Sequence, residues 1–155
     1  MRRYLVVANQ TLGGDELVEL IRKRAKAEPS EFFIVVPATP TVEFVEGVFA
    51  LPVMGGMPTV VDSPDHARKL AGERLEIAMA QLRAVGAQVE GRVGDPDPVR
   101  AVESVLRSRQ FDEIIVSTLP SRISRWLRQD LPTRLQHKCG LPVTHVGAQR
   151  PGDPS

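Results

Sequence analysis

The sequence holds one cysteine, Cys139, in 155 residues, which excludes an internal disulfide and agrees with a reducing compartment. Its three histidines, His66, His137 and His145, are dispersed, and no His/Cys pair has zinc spacing, so no metal site is expected. Cys139 lies near a predicted helix end before Gly140 and reads as a small core residue rather than a nucleophile. No apolar run approaches the length of a bilayer span, and the apolar stretch in "MRRYLVVANQ" is too short for a secretory signal; a cytoplasmic protein without a membrane partner is expected. A formal net charge of +1 gives no general attraction to nucleic acid, so any anion site must be local. Glycine is missing from "STLPSRISRWLRQDLP" at 117–132, where a loop leaves the apolar run "EIIV". Loops in that position often use glycine to bring backbone N–H groups to a phosphate. This one carries three arginines and two prolines instead.

What is present alternates in period. "YLVVA" at 4–8 and "EFFIVVPA" at 31–38 are short β-branched or aromatic runs, the second apolar on both faces as a covered parallel strand is. Between them "DELVELIRKRAKA" spaces Leu17, Leu20, Ile21 and Ala25 as a helix, with Asp15 placed as its cap and basic residues crowding its end. A long helix is predicted from Ser63-Pro64, a third strand over "QVEGRVG", and a helix with Val99, Val102 and Leu106 on one face. "DEIIVST" is the fourth strand, followed by helical pieces near 122–128 and 131–138, and "LPVTHVG" is the fifth. The Pro/Gly/Val-rich segment 39–62 has no clean period, and the tail 149–155 has a disordered composition. The alternation predicts one domain over 1–148, an α/β fold with an open, doubly wound parallel sheet and helices on both faces. A ligand would sit at the carboxyl ends of strands one and four, where the connections diverge.

The Gly94-Asp95-Pro96 turn, the 112–116 run and the Gly140-Leu141-Pro142-Val143 lead-in to strand five occur in an order that resembles the universal stress protein family over residues 3–147. The resemblance implies five strands in the order 3-2-1-4-5 and a homodimer. ATP-binding members carry a Gly-x-x-Gly pair after strand four and, further on, a Gly followed by Ser or Thr. The matching positions here are Ser117 and Pro120, then Gln129-Asp130 or Asp130-Leu131. Proline 120 lacks an N–H, and a carboxylate at Asp130 within about 4 Å of a phosphate would oppose it by roughly 4 kcal/mol at an effective dielectric of about 20. Where those relatives have an aspartate after strand one, this chain has Asn9-Gln10-Thr11. No cofactor is therefore expected, and ATP is disfavoured.

A ligand, if bound, is expected to meet Asn9 and Thr11, the backbone at Val36 to Ala38, and Ser117, Thr118, Ser121, Arg122 and Arg125. Arg122, Arg125 and Arg128 would form one basic stripe on a helix, with Trp126 packing between them. Asp95 and Asp97 resemble a phosphoacceptor only weakly, because the acidic pair after strand one is missing; a turn and helix cap is the reading. No complete set of catalytic parts appears, so an enzyme is not expected. The functional expectation is a non-catalytic module acting through dimerisation and contact with an unidentified protein, in stress response by the resemblance. An adenine-nucleotide or small-anion sensor is the alternative. Strand five is last in the expected order, and Val143, Thr144, His145 and Val146 carry no Lys, Asp or Glu to protect an edge, so the dimer interface is placed there.

Overall fold

The structure, a computed structural model, describes residues 1–9, 12, 14–38, 64–118 and 130–147. Five strands, β1 (Arg2–Val7), β2 (Ser30–Pro37), β3 (Gln88–Gly94), β4 (Glu113–Thr118) and β5 (Val143–Gly147), form one sheet in the order β3-β2-β1-β4-β5. Every pairing is parallel. Alternate residues of the central strands face opposite sides, and both sides are apolar, so two cores form. Tyr4, Val6, Phe32, Ile34 and Ile115 pack under α1 (Asp15–Ala27) and α2 (Pro64–Ala84) through Leu17, Ile21, Ala71, Leu75 and Leu82. Leu5, Val7, Phe33, Val35, Ile114 and Val116 meet Val99, Val102 and Val105 of α3 (Pro98–Leu106) and Leu131 and Leu135 of α4 (Leu131–Cys139). Each fully buried Leu, Ile or Val contributes about 1.5–3 kcal/mol relative to exposure, which outweighs the modest helix propensities of these short segments. The doubly wound sheet and its strand order match the expectation.

Local chemistry sets the element ends, with some differences from the sequence reading. Asp15 is the first residue of α1 rather than its cap; Gly14 holds the extended N-cap position without a side-chain bond, and the Asp15 and Glu16 carboxylates act on the helix dipole. In the 95–98 turn, Asp95 Oδ1 accepts from the Asp97 N–H at 2.8 Å, and Asp97 Oδ1 caps α3 by accepting from the Val99 N–H at 2.9 Å. Pro98 then opens the helix. Val105 is fully buried and Leu106 only partly so, although both pack on the same core. Gly140, at φ 67°, ends α4 in the left-handed conformation that glycine adopts without strain. Gly91 lets α2 approach β3, since a Cβ there would lie 2.7 Å from Leu75 Cδ1 and 2.8 Å from the Ile34 carbonyl oxygen. The 39–62 segment, the Ser63 cap, the helical piece at 122–128 and the tail lie outside the described residues.

At the amino end of the sheet, the buried Glu113 carboxylate meets Arg2 Nη2 at 3.2 Å and Arg24 Nη2 at 3.3 Å, and accepts from Thr144 Oγ1 at 2.8 Å. Both guanidinium groups lie over the Tyr4 ring, 5.5 and 5.7 Å from its centroid. One carboxylate thus joins β1, α1, β4 and β5, and its burial is compensated by three donors.

β3 and β5 are the two edges. The Ala38 N–H donates to the Gly94 carbonyl, so the even-numbered residues of β3 face β2 and Val89, Gly91 and Val93 turn their N–H and C=O groups outward. The Ile114 N–H donates to the Pro142 carbonyl, so Thr144 and Val146 face β4 and Val143, His145 and Gly147 face outward.

Candidate functional site

The carboxyl ends of β1 and β4 form the switch point of the sheet, as expected from the order of strands. Asn9, just past β1, is 5% exposed. Its Nδ2 donates to the Pro37 carbonyl at 2.8 Å, and its Oδ1 accepts from Arg74 Nη1 at 2.7 Å. Asn9 therefore ties the ends of β1 and β2 to α2 instead of presenting its amide to a ligand. The backbone at Val36 to Ala38, expected to be available, is also engaged: Pro37 has no N–H, its carbonyl serves Asn9, and the Ala38 N–H serves Gly94. A buried central strand satisfies its backbone within the sheet, which is why these groups are not left over.

Ser117 and Thr118 are 2% and 1% exposed, and Thr118 Oγ1 lies 2.7 Å from His145 Nε2 on β5. The Thr118 hydroxyl is thus engaged with β5 within the chain. Burial pushes the His145 imidazole below the ordinary histidine range. Asp130 occupies the N-cap position of α4 but makes no side-chain cap bond, because its backbone is left-handed at φ 55°, ψ 45°. It is the single non-glycine residue with positive φ among the described residues. Thr11, Ser121, Arg122 and Arg125, and with them Trp126, lie outside the described residues.

Arg74 escaped the sequence reading. It is one of several arginines on α2, and the signal that could have singled it out is indirect: a buried amide after β1 requires a donor for its oxygen. Elsewhere, burial pushes the Cys139 thiol up, with Glu103 adding to it; Cys139 is partly buried and packs against the core beside α3 and α4. Among the described residues, no three His, Cys, Asp or Glu side chains come together as a metal cluster, and no helix is long and apolar enough to cross a membrane.

No protein-family model matches the sequence, and no curated protein does. Solved structures do. A protein of the universal stress protein family from Burkholderia pseudomallei superimposes with a TM-score of 0.60 at 14% identity, over 93% of this chain and 94% of that one. The fold is that of the universal stress proteins. A universal stress protein in complex with cAMP matches at TM-score 0.57 and 18% identity, over 96% of this chain and 98% of that one. The universal stress protein of Archaeoglobus fulgidus in complex with dAMP matches at 0.58 and 16%, over 94% and 97%. Against the universal stress protein pattern, Asp130 is one of the two positions matched to the final motif glycine, and its left-handed backbone is the conformation glycine favours.

Proposed function

We propose that the protein is a non-catalytic module of the universal stress protein fold, acting in stress response as a homodimer joined along β5 and through contact with a further protein. The observation that carries this reading is the composition and orientation of the β5 edge. Val143, His145 and Gly147 turn outward backbone groups that have no partner among the described residues, and no residue of Val143–Gly147 is acidic, lysine or arginine. An edge with open donors and acceptors and no charge favours pairing with a second copy, and a two-fold axis would set the two β5 strands antiparallel. Size-exclusion chromatography with light scattering should give about twice the chain mass of 17.0 kDa. A monomer at tens of micromolar protein would overturn the reading.

A second reading, an adenine-nucleotide or small-anion sensor, is favoured by Arg74, held at the strand ends by Asn9, and by the cAMP and dAMP complexes of the same fold. Against it stand the engaged backbone at Pro37 and Ala38, the Thr118 hydroxyl engaged with β5 and the exposed carboxylate of Asp130. The first reading therefore expects calorimetry with AMP to show no binding tighter than the millimolar range and the denatured protein to release no stoichiometric nucleotide. Release of one nucleotide per chain would put the second reading in its place.

A further inference from the structure

A groove of about 720 Å³ opens at the amino ends of β1, β2 and β3, the opposite end of the sheet from the switch point. β2 alone spans eight residues, about 25 Å of strand, so the two regions share no residue. The volume falls in the range of small-molecule sites. The apolar residues that line it are Phe32, Phe33, Ala87, Val89 and Phe111, with Phe33 and Phe111 in a tilted ring contact at 6.2 Å and the Arg109 guanidinium 4.4 Å above Phe33. Charges line the groove as well. Arg3 pairs with Glu31 at 3.7 Å and Arg109 with Glu90 at 3.2 Å. Arg83 also lines it, and its Nη2 donates to the Val89 carbonyl at 3.1 Å. Arg83 has no carboxylate partner among the described residues, so the groove's charged side chains leave one positive charge over. The ends of α2 and α3 do not cancel it, because their last turns fold back on themselves: Leu82 O accepts from the Val85 and Ala87 N–H groups, and Val105 O from those of Ser108 and Arg109.

We infer that this groove is a binding site separate from the switch point, for a small planar aromatic monoanion whose ring lies against the Phe33–Phe111–Arg109 surface and whose carboxylate pairs with Arg83. Aromatic rings and the delocalised guanidinium both offer flat faces for stacking, and a guanidinium matches a carboxylate in bidentate geometry. A dianion would exceed the single surplus charge and meet Glu31 and Glu90. A neutral ring would leave Arg83 without a counter-charge.

Naphthoate, with naphthalenemethanol as its neutral counterpart, tests this by amide NMR titration of the full chain. A ligand of about 13 non-hydrogen atoms in such a site should saturate at a Kd of about 1 mM or tighter. The shifts should centre on Phe33, Arg83, Ala87 through Glu90 and Ser108 through Phe111. Arg83→Gln keeps a donor for the Val89 carbonyl while removing the charge; it should weaken naphthoate about fivefold and leave the neutral probe unchanged. Absence of saturation, shifts centred on Asn9 and Ser117, or equal naphthoate affinity in Arg83→Gln would each overturn the site. So would groove amides that shift with protein concentration alone, since they would assign the groove to a second copy of the chain.

Discussion

The two edges of the sheet solve the same problem in different ways. On β3, the outward Val89 carbonyl is capped by Arg83 from α2, Glu90 pairs with Arg109 beyond α3, and Arg92 Nη2 donates to Ser104 Oγ at 3.2 Å. Side chains from both helical layers thus converge on that edge. The Glu90–Arg109 and Arg92–Ser104 contacts are exposed and contribute little to stability. Their effect is to set side chains along the path by which another strand would approach, with Arg83 already taking the Val89 carbonyl. On β5 the polar side chains turn the other way: Thr144 reaches Glu113 and His145 reaches Thr118, both within the chain. The comparison teaches that charge on an edge strand matters through where the neighbouring helices can place partners for it. β5 has no arginine or carboxylate of its own to recruit such partners.

The sharpest way to break the comparison is a pair of prolines one residue apart. Thr144 turns its N–H toward β4 and its hydroxyl to Glu113, so Thr144→Pro removes a ladder bond and a part-buried hydrogen bond to a carboxylate and should destabilise the chain by on the order of 3 kcal/mol. His145 turns its N–H outward, so His145→Pro keeps the β4–β5 ladder and loses the side-chain contact to Thr118; it should destabilise less than Thr144→Pro while lowering the light-scattering mass toward the monomer. Equal destabilisation by both prolines would show that the inward–outward alternation assigned to β5 is wrong.

A smaller effect separates the edges by pH. The His145 imidazole is held below its ordinary pKa by burial, so as pH falls the unfolded chain takes up this proton before the folded chain does. The stability associated with neutral His145 is complete above the ordinary histidine pKa and declines as pH falls through it toward the lowered folded value. Urea midpoints measured from neutral to mildly acid pH should show this loss, and His145→Gln should remove that part of the slope. An unchanged slope in the variant would assign the titration to another group.

Most of the fold was legible because its signals are local. The runs "YLVVA" and "FFIVV" can be buried on both faces only in a covered parallel sheet, and Gly140 before Leu141-Pro142 marks a helix end from three residues alone. The site was less legible because its contacts are not local. Asn9 looks like a free amide until Arg74, 65 residues away, and Pro37 are brought to it. Ser117 and Thr118 sit where a ligand belongs by topology, yet which way a strand-end hydroxyl points depends on the neighbouring strand, and β5 supplies His145 to Thr118. Asp15 and Asp130 show the same limit at helix ends: residue type marks the vicinity of a cap, while the backbone conformation decides whether the carboxylate can serve it.

Glu113 has a bearing on the order in which the chain can complete itself. Its partners come from residues 2, 24 and 144, so the last of them emerges from the ribosome well after the carboxylate itself. Until β5 docks, Glu113 lies on an open edge of a four-stranded sheet, wetted on one side and short of its Thr144 donor. Closure of β5 dries and completes it in the same event, so the final strand joins as part of a cooperative assembly rather than as an optional addition.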